Sequence, residues 1–177
     1  MPTDTTGHAD WIQAALQRYE GPLVRYATRF VGDPERARDV VQDTFLKLCT
    51  AERRAIEDRL APWLYTVCRN RALDIRDKEG RMGSLHVVRD EAVQSGGAGP
   101  EARAAMGEAQ RTVVEVLGTL PADQQEAFCL KFQDQLSYRE IGEVMGVSLG
   151  TVSNLITAAL GELREQLRAG GHLAQEG

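Results

Sequence analysis

This chain has little of what catalytic sites are usually built from. It has only three histidines, His8, His86 and His172. They are scattered, with no H-E-x-x-H and no paired ligand spacing, so the common metal-site patterns are absent. The glycines between positions 82 and 107 have neither the Lys nor the preceding strand of a phosphate-binding loop. Cys49, Cys68 and Cys129 are odd in number, far apart and without a C-x-x-C, which argues for buried free thiols rather than a disulfide framework. No apolar run approaches the roughly 18 residues of a membrane span. The first residues, Met1 to Gly7, are polar and no signal-peptide pattern follows, so a cytoplasmic location is expected. No stretch alternates apolar and polar residues as a half-buried strand does. Asp39 and Asp43 are carboxylates on one helical face, but with no cleft or metal partner they read as a solvated face rather than an acid–base pair. The expectation is a protein with no catalytic residue, metal site or cofactor.

Positive charge is also scarce, and unevenly so. The net charge is −5, unexpected for a nucleic-acid binder. Residues 1–81 hold 14 Lys/Arg against 13 Asp/Glu, a net of +1, whereas residues 82–177 hold 7 against 13, a net of −6. Within the first part, residues 59–81 hold six basic and three acidic side chains, a net of +3. An electrostatic footprint for DNA is expected there.

What is present is helical periodicity, with 42% apolar residues to fill cores. Asp10 is placed to cap a first helix through Trp11, Ile12, Ala15 and Leu16, which Gly21 should break. Pro22 suits the first turn of a second helix carrying Leu23, Tyr26, Ala27 and Phe30. Gly32-Asp33-Pro34 reads as a stop, an N-cap and a first helical residue. The third helix has Ala37, Val40, Val41, Thr44, Phe45 and Leu48 on one face. Residues 51–59 read as a loop or frayed turn. A fourth helix, starting near Pro62, should bury Leu64, Val67, Cys68, Ala72 and Ile75. From Met82 to Gly107 the periodicity fails among glycines, which reads as a linker between domains. Helices resume near Glu108 with Val113, Val114, Val116 and Leu117. Pro121 opens another helix through Ala127, Phe128 and Leu130.

Residues 137–160 then read as a helix-turn-helix. Ser137 and Glu140 make a capping box. Ile141, Val144 and Met145 form an apolar face, and Gly146 supplies the left-handed turn. Ser148 caps a second helix with Val152, Leu155, Ile156, Ala159, Leu160 and Leu163 on one face. Such a pair of helices is the arrangement that sets a second helix in a DNA major groove, although a packed helical hairpin has the same pattern. The fold class expected is all-α: two small helical domains, at 10–81 and 108–170, joined by a flexible linker at 82–107, the second containing the helix-turn-helix.

Two further polar groupings stand out. Asp39, Gln42, Asp43 and Lys47 on the third helix, interleaved with Val40, Val41 and Phe45, suit either a solvated face or a docking surface for a partner helix. Trp63, Tyr65, Arg69, Asn70, Arg71, Asp74, Arg76 and Lys78 place aromatics beside basic and amide groups. That mixture suits opened DNA, with stacking on bases and contacts to phosphates and base edges. Trp63 and Tyr65 read equally well as plain core residues.

These groupings, in this order, resemble the sigma-70 family of bacterial transcription initiation factors, in its extracytoplasmic-function class. Asp39 to Lys47 resembles the family's region 2.2, Pro62 to Arg76 its regions 2.3 and 2.4, and Leu120 to Leu160 its region 4. The resemblance implies a non-enzymatic factor that binds core RNA polymerase and directs it to promoters. It implies docking on the polymerase β′ clamp helices through Asp39, Val40, Gln42, Asp43, Phe45, Leu46 and Lys47. It implies recognition and melting of the −10 element by Trp63, Tyr65, Arg69, Asn70, Arg71, Asp74, Arg76 and Lys78, with one base flipped from the stack. The second domain would dock on the β flap and read the −35 element through Arg139, Ser148, Leu149, Gly150, Thr151, Ser153, Asn154 and Thr157. An anti-sigma partner covering the polymerase-binding surfaces is implied as well.

Two departures from the family pattern matter. Thr151 to Leu160 carries no positive charge, so this helix lacks most of the salt-dependent affinity that phosphate contacts supply. Gly142 stands where a helix-turn-helix usually has Ala, at a cost of about 0.5–1 kcal/mol in helix propensity. The competing readings are a helix-turn-helix regulator acting without polymerase, and a sigma-like antagonist that keeps polymerase binding but has lost promoter reading.

Overall fold

The computed structural model describes residues 5–79 and 108–169, and the chain divides into two compact units, Met1–Val88 and Arg89–Gly177. Among the described residues all regular structure is helical. The segment expected to be a linker, 82–107, lies outside the described residues.

In the first unit α1 is a single helix, Thr5–Val31, with Pro22 inside it. The expected break at Gly21-Pro22 does not occur, and Asp10 lies within the helix rather than at its cap. A proline inside a helix loses one backbone hydrogen bond and costs about 3 kcal/mol. Here Leu23, Val24, Tyr26 and Ala27 follow directly, all buried. Burial of Leu23 and Val24 alone is worth about 3–6 kcal/mol, enough to hold the helix through the proline. Gly32, at φ 73°, ends α1 in the left-handed region. Its amide reaches back to the Thr28 carbonyl at 2.8 Å.

Helix α2, Pro34–Thr50, starts as its sequence dictates. Asp33 accepts hydrogen bonds from the amides of Glu35 and Arg36, with Pro34 in the first turn, where its missing N–H costs nothing. Its buried residues are Ala37, Val40, Val41, Thr44, Phe45 and Leu48, the face the periodicity predicts.

Residues 51–59 are more ordered than a loop. They form a short helix α3, Arg53–Ile56, and a 3₁₀ turn, Glu57–Arg59. Ile56 plugs into the core. Arg53 pairs with Glu57 at 2.9 Å, lies over the Trp11 ring at 5.4 Å and donates to the Gly7 carbonyl at 3.3 Å. These contacts tie the turn to the start of α1.

Helix α4, Leu60–Lys78, begins two residues before Pro62 and buries Pro62, Leu64, Tyr65, Cys68 and Ala72. Val67 and Ile75, expected in the core, are only half-buried. Tyr26 stacks edge-on against both Phe30 and Tyr65, at 5.2 and 5.1 Å.

The second unit comprises α5, Glu108–Thr119; α6, Ala122–Phe132; α7, Tyr138–Met145; and α8, Leu149–Ala169. Val116, Leu117, Leu120, Ala159 and Leu163 form one core cluster. The buried Gln125 donates to the Leu117 carbonyl at 2.5 Å, closing the end of α5 against α6. Helix α8 buries Val152, Ile156, Ala159 and Leu163. Leu155 is half-buried and Leu160 exposed, so the apolar face is narrower than the sequence suggests.

Candidate polymerase and nucleic-acid interfaces

The outward face of α2 presents Asp39, Gln42, Leu46 and Lys47 to solvent. Leu46 is 65% exposed, the most exposed large apolar side chain among the described residues. It borders an apolar groove of about 380 Å³ between α1 and α2, lined by Ile12, Leu16, Val24, Val41, Phe45 and Leu46, with Glu20 and Arg38 among its polar lining. Val40 and Phe45 are expected on the docking face from the family resemblance. Both are buried, so their energetic part is in the core, although Phe45 lines the groove.

Asp43 is half-buried and does not stand free. Its Oδ2 accepts from Arg71 Nε at 2.8 Å, joining α2 to α4. In sequence terms Asp43 belongs to the docking face of α2 and Arg71 to the DNA face of α4. The structure makes them one unit, at side-chain exposures of 37% and 40%.

On α4, Asn70, Asp74 and Lys78 recur every fourth residue, so they line up along one exposed face. Trp63, Arg69, Arg71 and Arg76 are half-buried beside them. Tyr65 is 2% exposed and packed on Tyr26. It takes the core reading, since a ring in the centre of a unit has no open face for a base. Cys68, on the inner side of α4, has its thiol pushed up to about 12 by burial, offset in part by a hydrogen bond with Thr44. It stays a neutral thiol and its Sγ points to the Leu23 carbonyl. Cys129 is also buried, but Cys49 is exposed beside the groove, against the expectation of three buried thiols.

In the second unit the helix-turn-helix is assembled as its residues dictate. Ser137 Oγ accepts from the Glu140 amide and Glu140 accepts from the Ser137 amide at 2.7 Å, a complete capping box. Gly146 adopts φ 69°. Ser148 Oγ accepts from the Thr151 amide at 3.1 Å and shares a hydrogen bond with the Thr151 hydroxyl at 2.9 Å. Helices α7 and α8 meet at a bend of 103°, within the range of DNA-binding helix-turn-helix pairs. A Cβ on Gly142 would stand 2.9 Å from the Val147 carbonyl oxygen, so the turn packs too closely for the alanine expected there. Arg139, Leu149, Gly150, Thr151, Asn154 and Thr157 are exposed, and Ser153 is half-buried.

Both units carry family signatures. Residues 15–82 match the model of sigma-70 region 2, and residues 110–163 match that of sigma-70 region 4. The chain belongs to the sigma-70 family. Among curated relatives it is 26% identical over 171 residues to the ECF RNA polymerase sigma factor SigW of Bacillus subtilis, covering 92% of this chain and 91% of that protein. It is 29% identical over 151 residues to the ECF RNA polymerase sigma-E factor of Escherichia coli, covering 80% and 78%. Two solved structures share the fold. One is the sigma factor RpoE of Bartonella quintana, bound to the anti-sigma factor NepR, with a TM-score of 0.58, 24% identity and coverage of 90% and 97%. The other is CnrH in complex with the cytosolic domain of CnrY, with a TM-score of 0.62, 24% identity and coverage of 93% and 92%.

This extracytoplasmic-function sigma factor is therefore a promoter-directing transcription initiation factor that works with RNA polymerase and promoter DNA. Region 2 spans most of α1 and all of α2 to α4, and region 4 contains the helix-turn-helix. Sequence reasoning missed the Arg71–Asp43 pair and the groove between α1 and α2. The pair had a sequence signal, opposite charges on the two helices, but no spacing rule links residues on different helices. The groove depends on helix packing, which leaves no local pattern.

Proposed function

We propose that the region 2 unit docks on the β′ clamp helices of core polymerase through Asp39, Gln42, Leu46 and Lys47 of α2, with Asp43 acting through its pair with Arg71. The observation that carries this reading is Leu46: a leucine largely exposed beside an apolar groove is a site waiting for a partner's apolar side chain. The flanking Asp39 and Lys47 supply charges for register. The adjoining face of α4, with Asn70, Asp74, Lys78 and the half-buried Trp63, Arg69, Arg71 and Arg76, reads and opens the −10 element. Tyr65 supports that face from inside. The region 4 unit docks on the β flap and reads the −35 element through α8, with Arg139 on α7. The factor itself catalyses no step and acts in the cytoplasm, where the polymerase is. An anti-sigma protein covers the α2 face when the factor is idle. Support for that last step comes from the related sigma factor RpoE, solved in complex with the anti-sigma factor NepR.

The test is transcription in vitro by core polymerase with the full chain, on templates with a randomised promoter segment. The expected result is initiation from a subset of templates sharing −10 and −35 elements. Leu46→Glu should abolish that initiation and weaken co-purification with core at least tenfold, the scale of a lost interface anchor (about 1.4 kcal/mol or more). Unchanged core binding by Leu46→Glu removes the α2 face from the docking surface.

A further inference from the structure

The charged side chains of α2 divide into two groups. Glu35 pairs with Arg38, Arg36 with Asp33 and Glu79, and Asp43 with Arg71. Asp39 and Lys47 are exposed and, among the described residues, have no ion pair. They carry opposite signs and stand four residues to either side of Asp43. Gln42 and Leu46, both exposed, lie between them. At about 100° and 1.5 Å per residue, these four side chains share a sector of about 140° along about 12 Å of helix.

That pattern is complementary to itself. A second α2, turned end over end about a two-fold axis level with Asp43, sets its Lys47 beside Asp39 of the first and its Asp39 beside Lys47. One face thus makes two ion pairs with its own copy. A parallel arrangement would set like charge against like. Asp43 falls at the axis, where its pair with Arg71 lowers the repulsion between the two carboxylates. The same rotation makes like flanks of α2 meet, so the two grooves between α1 and α2 face each other. Among the described residues, Leu16 and Leu46 are two of the five large apolar side chains left exposed, and both line this groove. A groove that carries its own apolar side chains on the rim is both donor and acceptor, which an isologous contact requires.

Resting on the reading of the α2 face as the polymerase-docking surface, we propose that the free factor forms a two-fold homodimer through α1 and α2. The dimer is antiparallel at α2 and occupies the docking surface until core polymerase displaces the second copy. Its exposed ion pairs set the register, and its leucines supply the association.

Sedimentation velocity of the full chain should show a concentration-dependent rise from 19.5 kDa toward twice that mass. Leu46→Glu should hold the chain as a monomer. Asp39→Lys and Lys47→Asp should each weaken the dimer on the order of tenfold, since each replaces two attractions by two repulsions. The double variant restores both pairs with signs exchanged, and should recover most of the affinity. Register has its own test. Gln42 lies one residue from the axis, so its two copies are offset by about 3 Å along the helix, against about 18 Å for Cys49. Gln42→Cys in a Cys49→Ser background should give a disulfide-linked dimer on oxidation with copper phenanthroline. The unaltered chain, whose Cys68 and Cys129 are buried, should not. Added core polymerase should dissolve the dimer into a one-to-one complex of factor and core. A chain monomeric at every concentration, a double variant no tighter than the single ones, or no cross-link through Gln42→Cys overturns the dimer and leaves the sigma function intact. A dimer that persists on core polymerase in a factor that still initiates overturns the docking role of the α2 face instead.

Discussion

At the scale of single residues, Gly142 shows how contact geometry outweighs propensity. Judged by helix preference, Gly142→Ala should stabilise the protein by about 0.5–1 kcal/mol. The Val147 carbonyl, 2.9 Å from where the new Cβ would stand, forbids this. Val147 is fixed in turn, because its amide donates to the Gly142 carbonyl at 3.0 Å. The clash is with backbone, so relief requires moving the turn that sets the direction of α8. Overpacking of this kind costs about 1–3 kcal/mol. Gly142→Ala should therefore be net destabilising by about 1 kcal/mol in urea denaturation of the full chain. A higher denaturation midpoint for the variant would contradict the geometry.

At the scale of helices, the contact between α2 and α4 joins two surfaces that sequence spacing keeps separate. Arg71 and Asp43 are each more than a third exposed, so solvent screens them and their coupling is worth about 0.2–1 kcal/mol. A double-mutant cycle on Asp43→Asn and Arg71→Gln, read by urea denaturation, should give a coupling within that range. Their functional effects should be larger and shared, since losing Asp43 also frees the guanidinium expected to meet DNA. A coupling near zero would mean that the two residues act independently. Much of this unit was legible in advance. Asp33-Pro34 is a start signal that acts within one turn, and the buried face of α2 follows from period alone. What escaped depended on distant partners. The Gly21-Pro22 pair is a break signal locally, and only the core under Leu23 and Val24 overrides it. Residues 51–59 look like a charged loop until Ile56 finds the core and Arg53 finds Trp11. Tyr65 had two readings of equal merit, and the position of Tyr26 decides between them. In the second unit the caps were legible because they are local, whereas the close approach at Gly142 was not.

At the scale of the whole molecule, charge divides the labour of DNA binding between the units. Residues 59–81 carry a net of +3, whereas residues 82–177 carry −6. Each phosphate neutralised on duplex DNA contributes about 0.9 to the slope of log affinity against log salt. The region 4 unit should thus contribute specificity with little salt dependence, and region 2 most of the salt-dependent affinity. Ala158 offers a direct way to alter that division. It is exposed on the outward face of α8, on a helix that lysine suits nearly as well as alanine. If the missing charge is what limits −35 affinity, Ala158→Lys should tighten holoenzyme binding to −35-bearing duplex and steepen its salt slope by about 0.9, one added phosphate contact. It should also raise binding to unrelated duplex by a similar factor, because phosphate contacts carry no sequence information. Discrimination between promoter and random DNA would then stay constant while affinity rose. Tighter binding without a steeper slope would show instead that this face of α8 does not lie along the DNA backbone.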